Sequence, residues 1–255
     1  MIQTLSPVTR LRSVAPNIFV LSFSAAGIAA QIKPGQFINI KINEFGLPFL
    51  RRPFSVYRVD GDEIEIIFNV IGLGTTLLSQ KRPGDVVDII GPLGSPYNLA
   101  GNFQTALLVG GGLGIAPLPM ITSFLTKTKT TLVTFLGART ADQIVPAHLV
   151  NVQVATDDGS SGFHGTVVDL LRSELDRERY PAPKLFACGP HPMLSALAAL
   201  AGDRDIPCEI SLESAMACGI GICQGCPVEL RSGEKKYALV CKDGTVFDTK
   251  TIRLS

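Results

Sequence analysis

The stretch TALLVGGGLGIAP, residues 105–117, decides how this chain folds. Its first half is apolar without alternation, which is typical of a parallel strand buried on both faces. Four glycines and Pro117 follow, where a strand would give way to a helix. A glycine-rich turn in that setting favours a pyrophosphate site, because its backbone N–H groups can approach the phosphates. Ile115 stands where a strict G-x-G-x-x-G has its third glycine, so a purely structural turn is the alternative.

Downstream of this stretch, apolar runs alternate with helix-like segments. The predicted strands read TLVTFLG, VQVATDDG, KLFACGP and PCEISLE, and the predicted helices read IAPLPMITSFLTK, GTVVDLLRSELDR and HPMLSALAALAG. Strands that alternate with helices predict a doubly wound parallel sheet. We therefore expect a Rossmann-like, nucleotide-binding α/β domain over residues 101–211.

Upstream of it, the chain has the composition of β-structure. Short runs rich in Ile, Val and Phe read IFVLSFS, GQFINIKI, FSVYRV, EIEIIFNV and DVVDII, and several alternate with period two. Glycine and proline separate these runs, as at KPGQ, VDGDE and RPGD. Five or six strands at this spacing predict a small antiparallel β-barrel over residues 1–100.

The last segment, residues 212–255, is rich in cysteine and glycine and too small to be held together by apolar burial alone. Cys218, Cys223, Cys226 and Cys241 give the spacing C-x4-C-x2-C-x14-C. This is the plant-ferredoxin pattern, in which four thiolates hold a 2Fe–2S cluster. Structural zinc is the alternative, although it usually takes paired C-x2-C motifs and only one such pair is present.

Two shorter motifs lie in the β-rich part. RRPFS, residues 51–55, heads a predicted strand, where an arginine can pair with a diphosphate and a serine can bond a polar ring edge. GLGTT, residues 72–76, is a glycine turn that feeds a helix, whose N–H groups and dipole favour phosphate. Taken singly, each motif is weak, because an arginine on a strand more often belongs to a solvated edge and a Gly-Thr pair is more often a plain helix cap.

Composition argues against several classes of function. The chain has 23 basic and 22 acidic residues and no basic run, which argues against nucleic-acid binding. No ionisable residue occurs from Phe103 to Thr126, but the glycines and prolines there favour a buried strand, turn and helix over a membrane span. The N-terminus lacks an apolar segment of signal-peptide length. We therefore expect a cytoplasmic protein without a membrane anchor, in which clustered cysteines indicate metal.

In this order, RPFS and then GLGT resemble the flavin-binding barrel of the ferredoxin reductase superfamily, whose pattern is R-x-Y/F-S/T followed by G-x-x-S/T. The resemblance implies bound FAD, with Arg52 on the diphosphate, Phe54 against the flavin or its ribityl chain, and Ser55 near the isoalloxazine N5. The other FAD contacts that it implies are Pro53, Ile67, Phe68, Asn69, Gly74 and Thr75. Close relatives often carry arginine where Asn69 stands, so one phosphate-binding charge would be missing here.

GGGLGIAP resembles the NAD(P) site of the same superfamily. The implied contacts are Gly111, Gly112 and Gly114, together with Cys188, Gly189 and Pro190, which in relatives lie near the nicotinamide. By itself, Cys188 is more typical of an ordinary buried cysteine. The segment GART, residues 137–140, offers no acidic residue for a ribose hydroxyl. The choice between NADH and NADPH therefore stays open at this point, with NADH favoured by the family.

The chain as a whole resembles the electron-transfer subunit of NAD-linked dihydroorotate dehydrogenase. The matching segments, which lie between Arg51 and Asp248, are RRPFS, GLGT, GGGLGIAP, ATDDGSSGFHG, FACGP, SLESAMACGIGICQGC and VCKDGTVFD. The resemblance implies that electrons pass from NADH through FAD and the 2Fe–2S cluster to the FMN of a separate catalytic subunit, in pyrimidine biosynthesis. It also implies a heterotetramer of two plus two subunits.

A second active site does not fit within this chain, because a TIM barrel alone needs about 250 residues and every segment is already assigned. Three alternatives stay open. The chain would be the small subunit of an NADH-dependent ferredoxin:NADP reductase or sulfide dehydrogenase complex, which shares the same parts. It would be a free-standing reductase of ferredoxin or oxygenase partners. In the third alternative, the chain would be a non-enzymatic, redox-sensing module whose C-terminal segment is held together by a zinc ion.

Overall fold

The structure, a computed structural model, describes residues 1–43 and 46–254. Its N-terminal part is a closed barrel of antiparallel strands, which confirms the predicted barrel. The strands are β1 (Ile2–Ala15), β2 (Ile18–Ser24), β3 (Phe37–Lys41), β4 (Arg52–Asp60), β5 (Glu63–Asn69) and β6 (Val86–Leu93), in the order β1-β2-β5-β4-β3-β6. Two short helices, α1 (Ala26–Ala29) and α2 (Leu73–Leu78), lie between strands.

Alternating side chains fill the barrel. Ile38 and Ile40 of β3 and Ile64 and Ile66 of β5 are fully buried. Because successive side chains of a strand point to opposite faces, the residue between two inward positions of β3 faces the outside of the barrel. Asn39 is that residue in β3, and it meets the C-terminal segment described below.

The longest barrel strand, β1, did not stand out in the sequence. IQTLSPVTRLRSVA carries polar or charged residues at half of its positions, and only Ser6 and Val8 are buried. The strand pairs with β2 on one side and with β6 on the other. Backbone pairing holds it in place, whereas apolar alternation is weak.

The middle of the chain forms a parallel sheet, as predicted. Its strands are β7 (Thr105–Gly111), β8 (Thr131–Ala138), β9 (Val152–Thr156), β10 (Phe163–His164), β11 (Pro183–Cys188) and β12 (Cys208–Ser211), in the order β10-β9-β8-β7-β11-β12. Its helices are α3 (Leu118–Leu125), α4 (Val167–Arg177) and α5 (His191–Asp203). Every residue of β7 is buried, as its uninterrupted apolar run predicts. In the described part of the chain, every helix falls short of the length and apolarity that a bilayer crossing requires.

The glycine turn after β7 differs from the prediction in one respect. It forms a 3-10 turn over Gly112–Ile115, and α3 begins only at Leu118. Gly112 has a φ of +54°, which a right-handed helix does not accommodate. In a continuous α-helix the ring of Pro117 would also clash with the carbonyl of Leu113. The helix therefore starts after the glycines instead of at them.

The C-terminal segment contains β13 (Pro227–Glu229), β14 (Tyr237–Leu239) and β15 (Val246–Asp248). β13 and β14 pair with each other, whereas β15 pairs antiparallel with β12 and extends the parallel sheet to seven strands. The hydroxyl of Thr245 donates to the carbonyl of Gly35 at 2.8 Å, and that of Ser95 donates to the carbonyl of Val246 at 3.0 Å. The segment is therefore fixed to both the barrel and the sheet, and it does not depend on its own small core.

Candidate cofactor and electron-transfer sites

Residues from separate segments of the barrel line one cavity of about 260 Å³. The sequence-predicted FAD contacts among them are Pro53, Phe54, Ser55, Ile67, Phe68, Asn69 and Thr75. Strands β4 and β5 pair antiparallel, which brings these contacts together. Phe54 lies edge-on to Phe68, with ring centroids 6.1 Å apart. The cavity therefore has an apolar wall with a few polar groups set into it.

Arg52 and Gly74 lie against each other beside this cavity. A Cβ atom on Gly74 would be 3.6 Å from Cγ and 3.7 Å from Nε of Arg52. Nη1 of Arg52 donates to the main-chain carbonyls of Leu50 and Arg51, at 2.9 and 3.3 Å. Within residues 1–43 and 46–254, no carboxylate pairs with this guanidinium, so its charge is available to a phosphate.

The preceding arginine, Arg51, is engaged elsewhere. Its Nη2 lies 2.6 Å from Oδ2 of Asp88, and its Nη1 donates to the carbonyl of Asp88 at 2.8 Å. Both side chains are largely buried, with 18% and 17% of their surface exposed. This pair fixes the start of β4 beside β6. Of the two adjacent arginines, only Arg52 has the freedom that a ligand contact needs.

Thr75 shapes the glycine turn. Its Oγ1 accepts the N–H groups of Ile71 and Gly72 at 3.0 and 3.2 Å, and it donates to the carbonyl of Gly72 at 3.0 Å. The hydroxyl therefore fixes the backbone conformation of the turn that precedes α2, beside Arg52. Such side-chain capping bonds are typical of the first turn of a helix.

Asn69 has a polar atom without a partner. Its Oδ1 is buried and accepts no hydrogen bond from the described residues, and the side chain lines the same cavity as Phe54 and Ser55. An unpaired buried acceptor costs about 1–3 kcal/mol, which a ligand donor would recover. The unpaired amide, the aromatic wall and the free guanidinium together fit a flavin nucleotide.

A second cavity, of about 530 Å³, opens where the carboxyl ends of β7, β8 and β11 meet. Gly111, Gly112 and Pro190, three of the predicted nucleotide contacts, line it. Further lining residues are Gly137, Ala138, Arg139, Gln143, Asp157, Thr166, Val167, Asp169, Arg172 and Met193. Ligands of open α/β sheets bind at this edge of the sheet. The cavity therefore suits a dinucleotide.

Gly114 and Gly189 bring two predicted motifs into backbone contact. A Cβ atom on Gly114 would overlap the carbonyl oxygen of Cys188, and one on Gly189 would lie 3.1 Å from the amide nitrogen of Gly111. Only glycine permits this approach. Cys188 is 2% exposed and lines neither cavity, and burial raises the pKa of its thiol.

One turn borders both cavities. Gly111 and Gly112 line the nucleotide cavity, whereas Leu113 and Ala116 line the flavin cavity. A ligand in one cavity is therefore separated from a ligand in the other by a single turn of backbone. The sequence predicted this turn as a phosphate site, and its contribution to the flavin cavity went unrecognised.

The segment that follows β12 closes the flavin cavity on another side. Its lining residues are Leu212, Glu213, Ser214 and Met216, and Thr245 joins them from the loop before β15. Sequence reasoning missed these residues, because SLES is an ordinary strand end and only tertiary packing places it there. Cys218 follows Met216 by two residues, so the flavin cavity leads directly into the cysteine loop.

The four cysteines lie in two pairs. The N–H of Cys223 donates to Sγ of Cys218, and the N–H of Cys241 donates to Sγ of Cys226, each at 3.4 Å. Among the described residues, no three potential ligands converge closely enough to hold a single metal ion as they stand. Two thiolate pairs suit a cluster with two irons. They suit a single zinc ion less well, since zinc takes four ligands around one point.

Backbone N–H groups prepare one of these thiols for metal. Partial desolvation opposes ionisation of Cys218, but N–H groups of Cys223 and Ile220, 3.4 and 3.5 Å from its sulfur, help lower its pKa to about 6. Burial, followed by the neighbouring Cys226, raises the pKa of Cys241 to about 12. Because the thiolate is the form that binds metal, Cys218 is mostly in its metal-binding form at neutral pH.

Residues 213–253 match the family model for the iron-sulfur cluster binding domain of dihydroorotate dehydrogenase B. Two curated relatives, each described as dihydroorotate dehydrogenase B (NAD(+)), electron transfer subunit, align with nearly the whole chain. The one from Geobacillus sp. (strain WCH70) is 38% identical over 248 residues and covers 94% of both chains. The one from Desulforamulus reducens is 35% identical over 242 residues and covers 92% of both chains.

Solved structures share the fold. A chain of the NADH-dependent reduced ferredoxin-NADP oxidoreductase superposes with a TM-score of 0.86 at 30% identity, covering 98% of this chain and 90% of that one. A ferredoxin NADP+ reductase from Neisseria gonorrhoeae superposes with a TM-score of 0.66 at 16% identity, covering 79% and 91%. Identity and coverage with the curated relatives place this chain, as its motifs predicted, in the family of electron-transfer subunits of NAD-linked dihydroorotate dehydrogenase B.

Proposed function

We propose that this chain transfers electrons from NADH, through FAD and a 2Fe–2S cluster, to the FMN of a dihydroorotate dehydrogenase catalytic subunit in pyrimidine biosynthesis. The observation that carries the proposal is the continuity of three sites. One turn borders the nucleotide and flavin cavities, and the flavin-lining segment runs into the cysteine loop. When bound, FAD takes a hydride as an electron pair and the 2Fe–2S cluster carries electrons singly.

For the flavin, Arg52 pairs with the diphosphate, and Gly74 and Thr75 keep the adjoining turn close to it. Phe54 packs on the flavin or its ribityl chain, and Ser55 presents its hydroxyl to the ring edge. The remaining proposed contacts are Pro53, Ile67, Phe68 and Asn69. The unpaired amide oxygen of Asn69 supports its place in this set.

For NADH, Gly111, Gly112 and Gly114 present backbone to the pyrophosphate. The set Cys188, Gly189 and Pro190 positions the nicotinamide end through its main chain, since the Cys188 thiol is buried. Arg139 lines this cavity without a carboxylate partner in the described residues, whereas Arg172 is paired with Asp169 at 2.7 Å. The relatives' designation NAD(+) supports NADH over NADPH.

For the cluster, Cys218 and Cys223 bind one iron, and Cys226 and Cys241 bind the other. The two observed pairs support this division. The proposed domains are the FAD-binding barrel over residues 1–100, the nucleotide domain over 101–211 and the cluster domain over 212–255. The proposed assembly is a cytoplasmic heterotetramer of two plus two subunits.

The test is an anaerobic affinity purification from native cells, followed by NADH titration. We expect co-elution with an FMN protein of TIM-barrel size, bleaching of flavin absorbance by NADH, and the EPR signal of a reduced 2Fe–2S centre. Orotate should form only when both subunits are present. Dihydroorotate oxidation by the pure chain would contradict the proposal.

The second candidate is the small subunit of an NADH-dependent ferredoxin:NADP reductase complex. This candidate function is supported by the superposition with a chain of such an enzyme at a TM-score of 0.86. Co-elution with a much larger flavin and iron–sulfur subunit would move this chain to that function. This chain would carry the same cofactors in both cases, so the identity of the partner subunit distinguishes the two functions.

A further inference from the structure

The side chain of Lys242 lies against the cysteine loop. A Cβ atom on Gly221 would be 2.7 Å from Cδ, 3.1 Å from Cβ and 3.3 Å from Cγ of Lys242. Three carbons of the lysine stem therefore pack on Gly221, at a place where a side chain on that residue would collide with them. Lysine stems cover neighbouring surface in this way and keep the ammonium group in water. Lys242 is accordingly exposed, and its Nζ stays beside the loop because it is attached to Cδ through one further carbon.

Gly221 belongs to the turn that holds the sulfur of Cys218. The N–H groups of Ile220 and Cys223, which lie on either side of Gly221 in the chain, donate to Sγ of Cys218 at 3.5 and 3.4 Å. Lys242 therefore contacts the same turn whose backbone surrounds this sulfur. Lys242 also follows Cys241 directly in the chain. One cation thus adjoins a member of each cysteine pair.

The charge of Lys242 has no direct partner. It is the only lysine, arginine or histidine in residues 212–226 and 237–248, the two segments that carry the four cysteines. Among residues 1–43 and 46–254, no carboxylate forms an ion pair with its ammonium group. The neighbouring carboxylate, Asp243, accepts the N–H of Leu239 at 2.7 Å. An uncompensated positive charge therefore lies at the cysteine loop.

We propose that Lys242 raises the reduction potential of the 2Fe–2S cluster and thereby sets how readily the cluster takes electrons from FAD. The proposal rests on the proposed function, because it requires a cluster on the four cysteines. In this step one electron leaves reduced FAD, which is oxidised, and one ferric iron of the cluster becomes ferrous, while no bond forms or breaks. The reduced cluster carries one more negative charge than the oxidised cluster. A cation beside the loop therefore stabilises the reduced form more than the oxidised form.

A purely structural role for the lysine stem is the alternative, and substitutions separate the two roles. Lys242→Met keeps a flexible, unbranched stem over Gly221 and removes the charge. Lys242→Gln removes the charge with a shorter, polar stem. Lys242→Arg keeps the charge. A structural role for the stem predicts no difference in potential between variants that retain the cluster.

Lys235→Met is the matched control, because it removes the same charge from the same segment at a greater distance. β13 and β14 pair from Pro227, next to Cys226, as far as Glu229, and Lys235 lies past that end. At about 3.4 Å per strand residue, Lys235 is roughly 15 Å from the cysteines, which exceeds the Debye length of about 8 Å at physiological ionic strength.

The test is an EPR-monitored redox titration of the full chain loaded with FAD and cluster. We expect Lys242→Met to lower the equilibrium constant for cluster reduction about three- to tenfold, as one charge near a protein surface does. A tenfold change corresponds to about 59 mV for a one-electron couple. Lys242→Arg and Lys235→Met should keep the wild-type potential, and iron and FAD content should stay unchanged in all variants. The difference between wild type and Lys242→Met should also shrink as the salt concentration rises, because salt screens the interaction.

Other results would overturn the proposal. A wild-type potential in Lys242→Met with the cluster intact does so and leaves the proposed function standing. An equal shift in Lys235→Met would mean that net charge matters and its position does not, and an equal shift in Lys242→Arg would assign the effect to the stem. Loss of iron from both Lys242→Met and Lys242→Gln also overturns it, because the lysine would then hold the loop together instead of tuning the cluster. Absence of a 2Fe–2S spectrum from the wild-type chain would instead refute the proposed function.

Discussion

The side-chain amide of Asn39, in the barrel, donates a 3.1 Å hydrogen bond to the main-chain carbonyl of Cys218, the first cysteine of the loop. The two residues are 179 positions apart, and Asn39 is only 1% exposed. A Cβ atom on the next residue, Gly219, would overlap the amide nitrogen of Asn39. The cysteine loop is therefore held on the outside of β3 by a buried polar contact that only glycine leaves room for.

Gly219→Ala should displace the loop and reduce iron content well below that of the wild-type chain. Gly219 has a φ of +69°, and alanine in that region costs about 1–2 kcal/mol before any clash with Asn39 is counted. Gly233→Ala is the control, because its φ is +107° and no atom lies within 4 Å of the added Cβ. Iron and sulfide analysis after purification checks this. Equal iron loss in both variants would refute the role of the Asn39 contact.

Arg52→Ala should weaken FAD binding with little effect on folding. One charge-assisted phosphate contact contributes about 1.5–3 kcal/mol, which is roughly a 10- to 150-fold change in the dissociation constant. Arg51→Ala is the comparison, because it breaks the 2.6 Å pair with Asp88 and should lower thermal stability instead. Flavin titration and thermal unfolding of both variants separate the two effects. Unchanged FAD affinity in Arg52→Ala would remove this residue from the site.

Cys223→Ser should abolish the cluster and leave FAD and NADH-driven flavin reduction in place. Cys223 is the exposed cysteine, so the hydroxyl that replaces its thiol leaves no buried cavity or unpaired group. Cys208→Ala, in β12 and outside the loop, should retain the cluster. Absorbance and EPR spectra of the two variants provide the measurement. Loss of FAD from Cys223→Ser would mean that the loaded cluster domain is needed to keep the flavin cavity closed.

In the cluster-free chain, Cys218 should react with iodoacetamide at lower pH than Cys208 or Cys241. Its pKa is lowered to about 6, so the thiolate predominates above that pH and reactivity falls as the pH drops through it. An unperturbed thiol has a pKa of about 8.5. Burial raises the pKa of Cys208 to about 12, which makes it the unreactive internal control. Mass spectrometry of peptides labelled between pH 5 and 9 gives the extent of labelling of each cysteine as a function of pH. The midpoint for Cys218 is then compared with the unperturbed value of about 8.5.

A profile for Cys218 centred near the unperturbed value would contradict this ordering. It would mean that the N–H groups of Cys223 and Ile220 adopt their positions only after the cluster is inserted. The same experiment therefore tests whether the loop is shaped before metal arrives.

Local sequence patterns were sufficient to predict the component domains of this protein. Short runs rich in Ile, Val and Phe, such as IFVLSFS and EIEIIFN, predicted barrel strands, and the uninterrupted run TALLVGG predicted a strand buried on both faces. Cysteine spacing predicted a 2Fe–2S loop, and the motif order predicted the family to which the chain belongs. These features are local, because periodicity and short spacings report the surroundings of neighbouring residues.

The way in which these domains contact one another became visible only in the folded chain. Nothing in the pattern of β1 marked it as a barrel strand, since its pairing partners β2 and β6, and not its own alternation, hold it. Nothing in SLES marked it as flavin-lining, and only the resemblance to the R-x-Y/F-S/T pattern, with no physical feature of RRPFS itself, selected Arg52 over Arg51, which the structure pairs with Asp88. Contacts between segments far apart in the chain depend on packing and register, which leave no periodic signal in either segment.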